Sequence, residues 1–113
     1  MFNKFFNNLI NSINGLKFVL KEHSFIAEVL GGIILIPYIL YSDLNLIFKL
    51  IIIVVYFFLL AFELLNTAIE KICDKITLEF DADIKKIKDM SSAAVFIILV
   101  SLVILIFFSF FLN

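Results

Sequence analysis

The chain has 113 residues, 64% of them hydrophobic, and a mean hydropathy of +1.17. Soluble domains are roughly 45–50% apolar, and one this short buries only about 60–65% of its unfolded surface, so a soluble fold is excluded and a bilayer must cover the remainder. A net charge of −1 leaves no basic footprint for nucleic acid, while a single cysteine, Cys73, and a single histidine, His23, exclude an internal disulfide and a Cys/His metal cluster.

In chain order, residues 1–22 place Phe2, Phe5, Phe6, Leu9, Ile13, Leu16 and Leu20 at helical spacing. Asn3, Asn7, Asn11 and Asn14 fall on the other side, which predicts an amphipathic helix lying on a membrane surface. The opening Met1-Phe2-Asn3-Lys4 does not read as a secretory signal, because asparagines interrupt its apolar residues. Gly15, mid-pattern, is expected to loosen or kink this helix.

Three apolar stretches follow, at about residues 25–41, 46–65 and 93–112, each near the ~20 residues that cross a hydrocarbon core of about 30 Å. The first contains Glu28, Gly31, Gly32 and Pro37, with both glycines expected to serve helix packing. Ser42 to Asn45 reads as a tight turn, and residues 70–91 as a charged cytoplasmic segment connecting the last two spans. All lysines except Lys49 lie in the N-terminal helix or this charged segment. The positive-inside rule then places the N-terminus in the cytoplasm and, after three crossings, the C-terminus outside. The expected fold is therefore an all-α membrane protein forming one domain over 1–113: an N-terminal surface helix and three transmembrane helices.

Ionisable groups at membrane depth cost about 2.5–3.5 kcal/mol on insertion scales and point to function by default. Glu63 follows an uncharged run from Ile51 to Phe62. Glu63, Asn66, Glu70 and Asp74 stand at i, i+3, i+7 and i+11, a stripe roughly 80° wide along about 16 Å of helix that joins apolar surroundings to the headgroup zone. Phosphoryl transfer to a lipid hydroxyl needs carboxylates for Mg²⁺, a cation for phosphate and an acceptor for the hydroxyl proton. The stripe can supply the carboxylates and the acceptor, with Glu63 taking the proton and Glu70 with another acid holding the metal. A proton relay or an assembly contact would produce the same stripe. The chain contains neither a phosphate-binding Gly-x-x-x-x-Gly-Lys-Ser/Thr loop nor a protein-kinase catalytic loop.

The run Glu63-Leu64-Leu65-Asn66-Thr67-Ala68-Ile69-Glu70, then Asp74, then Lys88-Asp89-Met90-Ser91-Ser92-Ala93-Ala94-Val95, resembles the signature of prokaryotic diacylglycerol kinases. Glu79-Phe80 stands where that family commonly has Glu-Tyr, and the similarity in length, span count and N-terminal helix extends over nearly the whole chain. The resemblance implies a homotrimeric enzyme of the bacterial inner membrane, with sites shared between protomers. Its activity would be ATP- and Mg²⁺-dependent phosphorylation of diacylglycerol to phosphatidic acid. By the same resemblance, Glu63 would be the general base and Asn66 would support the reaction centre. Glu22 and Glu70 would ligate Mg²⁺ and meet the nucleotide, and Asp74 would have a supporting role. Lys88 and Asp89 would contact ATP, with Lys4, Glu79, Phe80 and Asp81 also on the nucleotide side, while Glu28 and Ser92 would line the lipid pocket. The sequence departs from the family by one fewer residue between Gly15 and Glu22, by Asp81 where many members have histidine, and by Lys85 at a position often small. A sister group that phosphorylates undecaprenol tends to read Lys-Asp-Val-Ala-Ala-Gly-Ala-Val, and the run beginning at Lys88 favours diacylglycerol.

Overall fold

The computed structural model describes residues 1–112, which form four α-helices: α1 (Phe2–Val19), α2 (His23–Tyr41), α3 (Leu46–Ile76) and α4 (Ala82–Leu112). Gly15 sits inside α1 without ending it. Of α1 only Val19 is buried, and its last turns reach α3 beside Leu64, Thr67 and Ala68. The turn from α1 into α2 is closed by backbone bonds, Leu20 N–H to Leu16 O at 3.1 Å and Glu22 N–H to Val19 O at 2.9 Å. Glu22 then takes an extended conformation and starts α2.

Pro37 is accommodated within α2, which continues to Tyr41. Helix C-termini leave carbonyls without intrahelical partners, and here two side chains supply donors. Ser42 Oγ donates to Ile39 O at 2.6 Å, and Lys49 Nζ reaches back from α3 to Leu40 O at 2.9 Å. Asn45 caps the start of α3 by accepting from Ile47 N–H at 2.8 Å. The expected tight turn between the first two spans is thus held from both sides.

α2, α3 and α4 are each long and apolar enough to cross a membrane. α3 and α4 have 31 residues each, or about 46 Å at 1.5 Å per residue, so both outrun the hydrocarbon core. The excess contains most of the charged segment. Rather than a continuous connection over 70–91, the chain stays helical to Ile76 and resumes at Ala82, leaving a turn of only five residues, 77–81. Local side-chain bonds explain the break: Thr77 Oγ1 accepts from Glu79 N–H at 3.1 Å, and Asp81 Oδ1 accepts from Asp83 N–H at 2.9 Å and Ile84 N–H at 3.0 Å. Asp81 is therefore the cap that starts α4.

α3 is the central element, packed against α2 on one side and α4 on the other. The core is narrow, built from Ile39, Leu44, Ile52, Tyr56, Leu59 and Leu102. Large apolar residues such as Ile34, Leu50, Phe58, Phe96 and Phe107 face outward, as expected of a lipid-solvated surface. The two glycines of α2 differ. A Cβ at Gly32 would overlap the ring and hydroxyl of Tyr56, whereas nothing lies within 4 Å of one at Gly31. The expected packing role therefore falls on Gly32 within the chain. It lets Tyr56 lie against α2 and donate its hydroxyl to Glu28 O at 2.7 Å. Gly32→Ala should displace Tyr56 and destabilise the fold by about 1–3 kcal/mol, as overpacking does. Gly31→Ala should leave thermal unfolding in detergent unchanged, and comparing the two midpoints checks the assignment.

Candidate active site

The predicted stripe lies on α3 where the apolar stretch gives way to the charged extension. Glu63 is 5% exposed and Asn66 8% exposed, whereas Glu70 and Asp74 are exposed, so burial falls off along the face in the expected sense. The buried end is built with the first turns of α2. Ser24 Oγ donates to Glu63 Oε1 at 2.9 Å, and the Glu28 carboxyl lies against the Glu63 carboxyl. Glu28 Oε2 is buried without a hydrogen-bond partner. Two carboxyl groups from neighbouring helices thus meet at the edge of the apolar region, close enough to share a proton.

One turn further, Asn66 links α3 to α4. Its Nδ2 donates to Glu70 Oε1 at 3.1 Å, and its Oδ1 accepts from Ser91 Oγ at 2.6 Å. An amide spanning a carboxylate and a hydroxyl in this way fixes its own orientation, since its two ends have opposite polarity. At the exposed end, Lys71 Nζ pairs with Glu22 Oε1 at 2.8 Å and Lys88 Nζ with Asp74 Oδ1 at 2.7 Å. Both lysines lie beyond the apolar stretches. The Glu22 hydrogen bond and charge, followed by Asp74 and Glu70, hold the Lys71 ammonium above its ordinary value; the bond to Asp74 does the same for Lys88.

The structure therefore brings together Glu22, Glu28, Glu63, Asn66, Glu70, Asp74 and Lys88 around one end of α3. Other residues proposed from the sequence stand apart in the single chain. Lys4 is exposed near the start of α1, and Glu79 and Phe80 are exposed in the 77–81 turn. Asp81 is engaged in capping α4, Asp89 pairs with Lys85 at 2.6 Å, and Ser92 is exposed while its neighbour Ser91 bonds Asn66. Ser24, Ser91, Tyr56 and Lys71 are the participants that reading the sequence missed. Ser91 stood inside a quoted motif but carried no distinguishing signal. Ser24 and Lys71 are identified only by partners 39 and 49 positions away along the chain.

Among the described residues no three His, Cys, Asp or Glu side chains converge to make an all-protein metal cage. Mg²⁺ seldom uses one, because it binds through one or two carboxylates and completes its shell with phosphate oxygens and water. Glu22, paired with Lys71, and Glu70, bonded by Asn66, are hard oxygen donors of the kind such a shell accepts. A hollow of about 620 Å³ beside Pro37, Tyr38, Tyr41 and Phe110 contains none of these acids.

Three membrane-length helices with acids and lysines gathered at one end of the central one define a membrane protein with a polar site at its interface. Residues 10–110 match the family model of prokaryotic diacylglycerol kinase, and the chain belongs to that family of lipid kinases. Comparison with curated proteins returns no match.

Ser91→Ala should leave Asn66 Oδ1 without its donor at a nearly buried position, costing about 1–3 kcal/mol. Thermal unfolding should fall accordingly, and exchange of the Asn66 side-chain amide, followed by NMR, should accelerate.

Proposed function

We propose that the protein phosphorylates the hydroxyl of diacylglycerol with ATP and Mg²⁺, giving phosphatidic acid at the cytoplasmic face of a bacterial inner membrane. The observation that carries this reading is the single face of α3 on which a buried carboxylate, Glu63, leads through Asn66 to Glu70 at the exposed end. Lipid and nucleotide approach a membrane kinase from opposite sides of the headgroup zone, and this face spans it.

In this reading Glu63 accepts the hydroxyl proton while the lipid oxygen bonds the γ-phosphorus. The bond from that phosphorus to the β–γ bridging oxygen breaks, and ADP leaves with the electron pair. Glu22 and Glu70 would hold Mg²⁺, whose chemistry when bound is to neutralise phosphate charge. Lys88, carried by α4, lies one side chain from Asp74 and reaches the phosphates by exchanging that partner. Asp89, Glu79, Phe80, Asp81 and Lys4 belong to the nucleotide side, brought nearer by neighbouring protomers of a homotrimer. Ser92 and Glu28 line the lipid side, and α1 lies along the headgroups with its phenylalanines in the membrane. The lysine distribution supports a cytoplasmic N-terminus and an external C-terminus.

Purified protein in mixed micelles, given labelled ATP, Mg²⁺ and either diacylglycerol or undecaprenol, tests the reading. Label should enter phosphatidic acid, and Glu63→Gln should reduce the rate at least about 100-fold, as loss of a general base does, without disturbing assembly. Preferential labelling of undecaprenol would change the acceptor. No transfer to either lipid, or a Glu63→Gln protein that loses assembly alone, would favour a non-enzymatic membrane subunit.

A further inference from the structure

A serine in the first turn of a helix ordinarily serves its own backbone, accepting from an N–H two or three residues on. Ser24 is the second residue of α2 and does otherwise: its hydroxyl crosses to α3 and donates to Glu63 Oε1 at 2.9 Å. Glu22, at the cap position before it, also makes no side-chain capping bond. The first turn of α2 thus gives up local satisfaction and directs two side chains to α3, Glu22 to Lys71 and Ser24 to Glu63.

The terminal torsion of a glutamate is broad and roughly two-fold, so burial alone leaves the carboxylate plane loosely defined. Two groups meet the Glu63 carboxyl: the Glu28 carboxyl, which lies against it, and the Ser24 hydroxyl, which donates to Oε1 alone. We propose that Ser24 is a positioning residue for lipid phosphorylation, fixing Glu63 Oε1 so that the second carboxylate oxygen faces the acceptor hydroxyl. This rests on Glu63 being the proton acceptor. The bond is not a packing requirement: Ser24 is exposed, and removing its hydroxyl opens no cavity. Alanine is moreover the better helix former, so a purely structural view predicts that Ser24→Ala is neutral or slightly stabilising.

Ser24→Ala and Ser24→Thr are compared with the wild-type chain in mixed micelles, measuring kcat, KM for lipid and for ATP, and the thermal midpoint. The alanine variant should lose about tenfold in kcat, the worth of one hydrogen bond to a charged group in the transition state. Both KM values and the midpoint should hold, and threonine, which restores a hydroxyl at the same distance along the side chain, should recover most of the rate. An unchanged kcat for Ser24→Ala beside an active wild type overturns the positioning role and leaves the kinase reading intact. A rate loss that tracks a lowered midpoint, or that threonine does not repair, also overturns it. If the wild type itself transfers no phosphate to any lipid, the kinase reading falls and takes the positioning role with it.

Discussion

The organisation of the molecule depends on keeping one carboxylate, Glu63, at the edge of an apolar span. Such a group is expensive at membrane depth unless other polar groups solvate it. Here the polar company comes from α2, as the Ser24 hydroxyl and the Glu28 carboxyl, and the packing that brings α2 close depends on Gly32 making room for Tyr56. Tyr56 in turn bonds the backbone at Glu28. A small residue in the middle of one span and an acid near its start thus belong to a single structural device.

α3 converts that local arrangement into a path. Continuing as helix to Ile76, it holds Asn66, Glu70 and Asp74 in fixed phase with Glu63 while burial gives way to exposure. α4 does the same from the other side, presenting Ser91 and Lys88 at the levels of Asn66 and Asp74. Two long helices joined by a five-residue turn give the site a rigidity that a 20-residue connection would lack. The ion pairs at the exposed end add little stability, because solvent-exposed pairs are screened and cost side-chain entropy to hold. They gather both signs of charge at the exposed end of the stripe.

Much of this is legible in the sequence. The period of 3.6 places Glu63, Asn66, Glu70 and Asp74 on one face, and hydropathy locates the three spans. The extent of the charged helices is less legible, because residues 70–91 are polar enough to pass for a connection. Their helicity comes from continuation of the long apolar helices and, at the start of α4, from capping by Asp81. Ser24, Ser91 and Lys71 are invisible for a different reason. Each is an ordinary polar residue whose significance lies in a partner on another helix, and periodicity within one helix contains no information about that. Gly31 and Gly32 are alike in sequence, and only the position of Tyr56 separates them.

In the proposed function, labour is divided along α3, with proton acceptance at the buried end and metal–nucleotide binding at the exposed end. Equilibrium binding of Mg²⁺–ATP to Glu63→Gln and Glu70→Gln in the assembled, detergent-solubilised protein tests that division directly. Glu63→Gln should bind the nucleotide as tightly as wild type, while Glu70→Gln should bind it at least about tenfold more weakly through loss of a charged ligand. Weakened binding in Glu63→Gln, or unaltered binding in Glu70→Gln, would contradict the division.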